Sequence, residues 1–264
     1  MTGVAVVDSP FFDRLVRRTR LDAEMVCVTP LRIGRGKRFD AVESDLPVLR
    51  DAQGRVVVPG ASIKGVLRSH LEALMRSMGL SVCDPLAAPC IDGSKVPRRG
   101  GAAERARAWR QYVGEHACHA CRMFGSLGLA SHVVLTDALP LGEVHTEIRD
   151  GVAIDRDLGR VSGARKYDFE VVAAGSRFAF SLELHDLSDA QEGAVALALD
   201  SLHEGFARIG GAKSRGFGVV RLENGRVHVR TATDAQAMDW ETWRRERSEA
   251  YAAWLRNEVN RCTA

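Results

Sequence analysis

Apolar residues recur along this chain with two different periods, one typical of a helix and the other of a strand. From Ser62 onward the apolar positions follow helical spacing, and charged residues lie between them. In residues 177–184, RFAFSLEL, apolar and polar side chains alternate one by one. The first pattern predicts an amphipathic helix over residues 62–78, and the second predicts a half-buried strand.

Two further helices follow from local signals. Ser188 and Gln191 have the spacing of a capping box, so a second long helix is predicted to begin there. It is expected to end near Arg208, because two glycines follow. A C-terminal helix is predicted from about residue 239 to 259, and its tryptophans and tyrosine are interpreted as packing residues.

Strands are predicted over residues 22–33 and 132–139, and a last strand follows the second long helix. The order is then strand, helix, strands, helix, strand. This order is typical of an α+β fold with a ferredoxin-like (RRM-like) split βαβ sheet, in which two helices cover one face. Residues 143–172 are rich in turns and charges and are predicted to form a projecting hairpin, although a solvated charged surface would explain the same composition.

Composition limits the possible functions only modestly. The chain has 264 residues, 45% of them hydrophobic, and a net charge of +3, which is too small to indicate nucleic-acid binding by itself. No apolar run approaches the roughly 20 residues that span a bilayer, and the N-terminus lacks a secretory signal. We therefore expect a cytoplasmic protein without a membrane partner.

Four of the six cysteines lie in one segment. Cys83 and Cys90 form one pair, and Cys118 and Cys121 form a C-x2-C knuckle, a spacing that suits tetrahedral zinc. His116 is the first substitute if one cysteine is not a ligand. A thioredoxin-like redox pair is the rival interpretation of the knuckle, but that motif opens a helix after a strand, whereas this one follows a polar stretch.

The segment around these cysteines, residues 79–126, has little apolar sequence for a core of its own and contains one charged helical piece from about Ala102 to Tyr112. Zinc binding can fold such a segment without much apolar burial. The sequence therefore predicts a zinc-stapled insertion.

Residues 44–69 place an isolated carboxylate shortly before a predicted helix start. Asp45 precedes an extended stretch, and residues 51–54 are predicted to form a turn. Ser62 is the predicted helix cap with free N–H groups beside it, and Lys64 and Arg68 add positive charge in the first turns. This pattern favours anion binding, although an ordinary strand-to-helix turn would explain it as well.

A second glycine-rich element, IGGAKSRGFG, joins the second long helix to the last strand. Its glycines let the backbone approach a partner closely, and Lys213 and Arg215 place two cations at its tip. The partner is expected to be an anion. The element matches neither a mononucleotide P-loop nor a Rossmann fingerprint.

The loop GGAKSRGFG resembles the glycine-rich signature of the RAMP superfamily, the ferredoxin-fold proteins of CRISPR antiviral defence. An ordered set of blocks resembles the backbone subunits of type III effector complexes: LRIGRG, SDLPVLRD, VPGASIKGVLRS, CRMFGS, RDGVAIDRDLG and KYDFEVVAAGSRF. The resemblance runs from about Leu31 to Leu222.

The resemblance implies a role for each element. Asp45 would be the endoribonuclease residue that cleaves target RNA with Mg²⁺ or another divalent ion. The guide-RNA contacts would be Ser62, Lys64, Arg68, Gly210, Gly211, Lys213, Arg215 and Gly216. The hairpin at about 143–172 would be a thumb that wedges between guide and target.

The domain organisation expected from these arguments has three parts. An RNA-binding palm comprises residues 1–78 and 127–232, the zinc-binding insertion comprises residues 79–126, and a C-terminal helix occupies residues 233–264. The expected partners are guide (CRISPR) RNA, complementary target RNA, copies of the chain in a filament and other effector-complex subunits.

Three alternatives remain open from sequence. The chain could hold guide RNA without cutting, it could process precursor guide RNA with a histidine, or it could be a zinc-stabilised interaction module without RNA. Asp45 argues against the first, and the scattered positions of the histidines argue against the second.

Overall fold

The structure is a computed structural model that describes residues 11–12, 15–34, 46–154, 156–157 and 161–263. The strands are β1 (Arg17–Cys27), β2 (Val133–Leu135), β3 (Thr146–Ile154), β4 (Val161–Val172), β5 (Arg177–His185), β6 (Val220–Thr231) and β7 (Ala235–Asp239). The helices are α1 (Gly60–Ser77), α2 (Ala102–His116), α3 (His119–Phe124), α4 (Asp189–His203) and α5 (Trp240–Thr263). None of the helices in these ranges is both long and apolar enough to cross a lipid bilayer.

The main sheet has five strands in the order β2-β5-β1-β6-β7, and each neighbouring pair is antiparallel. In its centre Leu21 lies between Leu182 of β5 and Val227 of β6. Strands β3 and β4 form a separate antiparallel hairpin, where the sequence predicts one. The fold is therefore a mixed α/β fold with an antiparallel sheet, as predicted.

One face of the sheet is buried and the other is exposed, because its strands alternate apolar and polar residues. Strand β5 buries Phe178, Phe180, Leu182 and Leu184, as its sequence predicts. These side chains share one hydrophobic core with the buried faces of α1 and α4. The exposed face presents a basic row on β6 that consists of Arg221, Arg226, His228 and Arg230.

The predicted strand boundaries are wrong where the chain leaves the sheet to pair elsewhere. The first strand, predicted over residues 22–33, begins at Arg17 and ends at Cys27. Beyond it, Leu31 pairs instead with Val172 at the base of the hairpin. The strand predicted over residues 132–139 is only Val133–Leu135, because Ala138 then pairs with Val58 before helix α1.

Two helix boundaries are also wrong. Helix α4 ends at His203 rather than near Arg208, because a turn at Gly205, with φ +82°, breaks the helical hydrogen bonding. Helix α1 begins at Gly60, two residues before the predicted start at Ser62. The capping box of Ser188 with Gln191 is confirmed.

The C-terminal helix and its packing aromatics are confirmed. Trp243 is fully buried, and Trp240 and Tyr251 are nearly so. Helix α5 crosses α4 closely at Gly193, where an added Cβ would lie 2.0 Å from the carbonyl oxygen of Arg247. The closeness of this crossing leaves room only for glycine at residue 193.

A buried carboxylate joins β1, α4 and α5. Glu192 is fully buried and accepts hydrogen bonds from Thr19 Oγ1 (2.6 Å) and Arg247 Nε (2.9 Å). The Arg17 Nε atom lies 3.1 Å from the same carboxylate. Because the charge has three partners, its desolvation is compensated in the folded state.

Glu192→Gln removes the charge from this cluster while preserving the shape of the side chain. It should lower the free energy of unfolding by about 3 kcal/mol, because two arginines lose their buried counter-charge. Glu147→Gln in the exposed pair with Arg149 is the matched control and should change stability little. Urea denaturation measures both values, and equal effects of the two substitutions would contradict the role given to Glu192.

Candidate RNA-binding loop and metal centre

The glycine-rich loop, residues 209–218, is held tightly against the segment of residues 30–34. Gly211 N donates to Arg32 O (2.8 Å), and Gly218 N donates to Pro30 O (3.0 Å). Gly210 and Gly218 adopt φ values of +82° and +85°. An added Cβ would lie 2.3 Å from Arg32 O at the first position and 2.0 Å from Ile209 O at the second. Both positions therefore require glycine.

Two arginines flank one aromatic ring beside this loop. The Arg215 guanidinium carbon lies 5.1 Å from the centroid of the Phe169 ring, and that of Arg32 lies 5.6 Å from the same centroid. Arg215 also donates to the Tyr167 hydroxyl (3.0 Å). Arg32, Tyr167 and Phe169 were not predicted as site residues, because they lie in two other segments and only the fold brings them to the loop. The available signal was their place in the blocks LRIGRG and KYDFEVVAAGSRF.

The arginine pair leaves positive charge without a carboxylate counterpart among the described residues. Burial lowers the pKa of Arg32, and the nearby charge of Arg215 lowers it further. The Arg32 Nε atom is buried and has no hydrogen-bond partner in the described structure. Cations that repel one another and retain an unused donor favour an anion at this position.

The predicted loop residues Gly210, Gly211, Lys213, Arg215 and Gly216 all lie at this site. A short 3₁₀ turn, Lys213–Arg215, sets the two cations at its tip. The backbone carbonyl of Lys213 accepts a hydrogen bond from Arg208 (2.9 Å), and the Lys213 side chain is exposed. The loop thus presents a fixed backbone with cationic side chains toward solvent.

Asp45 lies outside the described residues, but the segment that follows it is fixed at the same site. Leu46 O accepts a hydrogen bond from Glu170 N (3.1 Å), and Val48 N donates to the Glu170 carboxylate (2.9 Å). Glu170 is the neighbour of Phe169 in β4. Leu46, the residue after Asp45, is therefore hydrogen-bonded to Glu170, the residue after Phe169.

Asp51, in the same segment, has the predicted turn role. Its carboxylate accepts hydrogen bonds from the backbone N–H groups of Gln53 (3.0 Å) and Arg55 (2.9 Å). Its other oxygen accepts from the Arg55 side chain (2.8 Å). The interactions of Asp51 are therefore local to the turn.

The start of α1 differs from the predicted anion site. The N-cap is Pro59, not Ser62, and the N–H of Gly60 donates to the Asp137 carboxylate (2.9 Å). The N–H of Ser62 donates to Pro59 O (2.9 Å). The prediction of a Ser62 cap with free N–H groups beside it is thus wrong, because an acidic side chain and local turns satisfy them.

Lys64 and Arg68 face away from the glycine loop. The Lys64 ammonium donates to Ser131 Oγ (2.7 Å), and burial followed by the charge of Arg68 lowers its pKa. Arg68 donates to Glu72 (2.7 Å), to Gly125 O (2.9 Å) and to Cys121 Sγ (3.4 Å). The structure therefore brings Arg68 to the cysteine cluster and does not bring these two residues to the loop.

The four predicted cysteines form one cluster. The Sγ atoms of Cys83, Cys90, Cys118 and Cys121 all lie within 4.8 Å of one another. Cys83 Sγ is 3.5 Å from Cys121 Sγ and 3.7 Å from Cys118 Sγ. Tetrahedral zinc with Zn–S bonds of about 2.3 Å separates its sulfurs by about 3.8 Å, so the spacing fits a metal held by four thiolates.

The chemistry of the cluster supports the same conclusion. A hydrogen bond from Cys121 is the main cause that lowers the pKa of Cys118, to about 4. Burial raises the pKa of Cys90 to about 11. The site thus favours the thiolate at Cys118, and a bound cation would favour the thiolate at Cys90 as well. His116 bonds to Tyr112 O (2.9 Å) and is not part of the cluster.

The cysteine cluster lies in the insertion, beside Arg68 of α1. Cys118 is the N-cap of the short helix α3, and the helix before it is α2, so no strand precedes the knuckle. Helix α2 runs to His116, about one turn beyond its predicted end at Tyr112. A small apolar cluster of Ile91, Val113, Ala117 and Leu129 lies apart from the main core.

Comparison with known proteins gives a consistent result. The family model described as the RAMP superfamily matches residues 24–221. The protein "CRISPR system Cms endoribonuclease Csm3" of Methanothermobacter thermautotrophicus is 25% identical over 241 residues, which cover 80% of this chain and 85% of that protein. A protein of the same name from Methanocaldococcus jannaschii is 26% identical over 195 residues, or 69% of this chain and 68% of that protein.

Cys118→Ala should remove the bound metal, because three thiols bind a tetrahedral cation far more weakly than four. Metal analysis of the purified protein should give one equivalent of zinc for the unaltered chain and a small fraction of that for the variant. Cys27→Ala, at a buried cysteine outside the cluster, is the control and should retain the metal. Full metal content in the Cys118 variant would contradict the four-thiolate site.

Proposed function

Since the chain belongs to the RAMP superfamily, we propose that it is a backbone subunit of a type III CRISPR effector complex that holds guide RNA and cuts complementary target RNA. The observation that supports this most directly is the arginine pair on Phe169 beside the glycine loop. The names of its relatives, which specify CRISPR endoribonucleases, support the cutting step.

Guide RNA is held through its phosphates. The cations of Arg32, Lys213 and Arg215 form a site for negative charge without features that select a base. Base pairing with the guide then selects the target. Lys64 adds positive charge at a separate position, and Arg68 braces the cysteine cluster. Ser62 is not needed in this scheme.

The proposed palm is ferredoxin-like. Strands β2, β5, β1 and β6 lie in the order expected for a split βαβ sheet, with α1 and α4 as the crossover helices. The insertion at residues 79–126 would then be a zinc-stapled addition to the palm, with the zinc held by the thiolates of the four clustered cysteines. Zinc there would supply cross-linking rather than catalysis, because all four ligands would come from the protein.

Hairpin β3–β4 is the proposed thumb. It projects from the sheet, and its strand β3 exposes the apolar side chains Ile148 and Val152 on one face. Such side chains can separate stacked bases, so the target strand would be unstacked beside them. Copies of the chain along one guide would place thumbs at regular intervals, in a filament with other effector subunits in the cytoplasm.

Cleavage is assigned to Asp45. An unstacked target nucleotide can bring its 2′-hydroxyl in line with the adjacent phosphate, and Asp45 would take the proton from that hydroxyl. The 2′-oxygen would bond to the phosphorus as the bond to the 5′-oxygen of the next nucleotide breaks, and water would protonate that leaving oxygen. The hydrogen bond from Glu170 N to Leu46 O holds Leu46, the residue after Asp45, on strand β4. A divalent ion at Asp45 and RNA oxygens would supply charge stabilisation at the reacting phosphate.

Asp45→Asn should abolish cleavage of complementary RNA in the guide-loaded complex while leaving guide and target binding unchanged, because the amide cannot accept the proton. Gel analysis of labelled target RNA, with and without Mg²⁺, measures the cleavage. Asp51→Asn is the matched control, and it should still cut because Asp51 serves the turn. Cleavage that survives in the Asp45 variant would instead support a non-cleaving role for this residue.

The double substitution of Lys213 and Arg215 by alanine should weaken RNA binding and flatten its salt dependence. Each lost contact removes roughly 0.7 from the logarithmic slope on single strands, so two remove about 1.4. The control is the double substitution of Arg98 and Arg99 by alanine, which removes the same charge at two exposed residues of the insertion. Affinity titrations over a salt series give the slopes. Equal slopes for the two double variants would remove the loop from the RNA interface.

A further inference from the structure

An open groove adjoins the glycine loop at Lys213. It has a volume of about 490 Å³ and lies between helix α1 and the turn that follows α4. Ser69, His70 and Ala73 line it from α1, and Phe206, Arg208 and Lys213 line it from the other side. Lys213 belongs to both the groove and the loop, so the two sites are continuous.

Phe206 is held in an exposed position by the structure around it. Its side chain is 78% exposed, whereas its neighbour Ala207 is 4% exposed. Ala207 N donates to Ser201 O (2.8 Å), and Gly205 N donates to Leu202 O (3.2 Å), so both flanking residues are anchored on α4. Exposure of a phenylalanine ring to water is unfavourable. Stacking of a flat apolar group on the ring would bury it and gain the free energy of apolar burial.

The charges around the ring favour a polyanion. Arg208 and Lys213 are cationic, and none of the groove-lining residues is acidic. Arg208 also donates to the carbonyl of Lys213 (2.9 Å), which ties the turn of Phe206 to the loop. Ser69 and Ala73 on the opposite wall are small and leave room for a flat group.

We propose that a nucleobase of single-stranded RNA stacks on Phe206 while the adjoining phosphate contacts Lys213. This proposal rests on the proposed function, because it extends the phosphate site of the loop to a base. Every base has a π-face, so such a contact adds affinity without selecting sequence. An apolar segment of a second copy of this chain would be the other occupant, but the cations of the groove favour RNA.

The test compares a short unstructured RNA with its abasic counterpart, which has the same phosphates and no bases. Phe206→Leu should weaken binding of the intact RNA about tenfold, because leucine keeps an apolar surface but loses the aromatic stacking face. It should leave binding of the abasic RNA unchanged. Phe206→Tyr should restore the affinity, and Leu127→Ala, at another exposed apolar residue, should have no effect. Fluorescence anisotropy measures all affinities, and thermal unfolding verifies that the variants fold.

The outcomes separate the two proposals. If the unaltered chain binds neither RNA, the proposed function and the stacking platform both fail. If it binds RNA and Phe206→Leu binds the intact RNA equally well, only the stacking platform fails. Loss of self-association in Phe206→Leu, with RNA binding unchanged, would assign the groove to a second copy and overturn the inference.

Discussion

The close contact between the glycine loop and the segment before it is the constraint on which the proposed RNA site depends. Gly210 sits so near the carbonyl oxygen of Arg32 that no Cβ fits between them, and Gly211 donates a hydrogen bond to the same carbonyl. This contact fixes the backbone on both sides, so the Arg32 and Arg215 side chains flank Phe169 without a counter-charge in the described structure. Preorganised cations of this kind bind phosphate without the cost of reorganising the loop.

The same contact couples the phosphate site to the base of the hairpin. Leu31 pairs with Val172, the stretch that follows Asp45 is bonded to Glu170, and Arg215 of the loop donates to Tyr167, so three segments converge on β4. In the proposed function, holding and cutting RNA would be separate tasks of neighbouring elements rather than of one helix end. The cysteine cluster is a third unit, linked to α1 by the hydrogen bond from Arg68 to Cys121. A structural metal there would stabilise the insertion without entering the reaction.

Sequence predicted the elements better than the contacts between them. Alternation along β5, the capping box at Ser188 and the four cysteines are local patterns, and each is confirmed as an element or cluster. The helix start at Ser62 was wrong because Asp137, distant in sequence, satisfies the first N–H group. Arg32 and Phe169 were missed for the same reason, since only tertiary packing brings them to the loop. The direction in which Lys64 points depends on its bond to Ser131, which no periodicity predicts.

The most direct test of this account is the position of bound RNA on the protein surface. RNA containing photoreactive uridines can be crosslinked to the guide-loaded protein, and mass spectrometry of the digested complex then identifies the modified peptides. We expect crosslinks in residues 206–217 and in the segment of residues 31–34, on either side of Phe169. Crosslinks confined to the exposed face of the sheet, along the basic row of β6, would overturn the proposed RNA site.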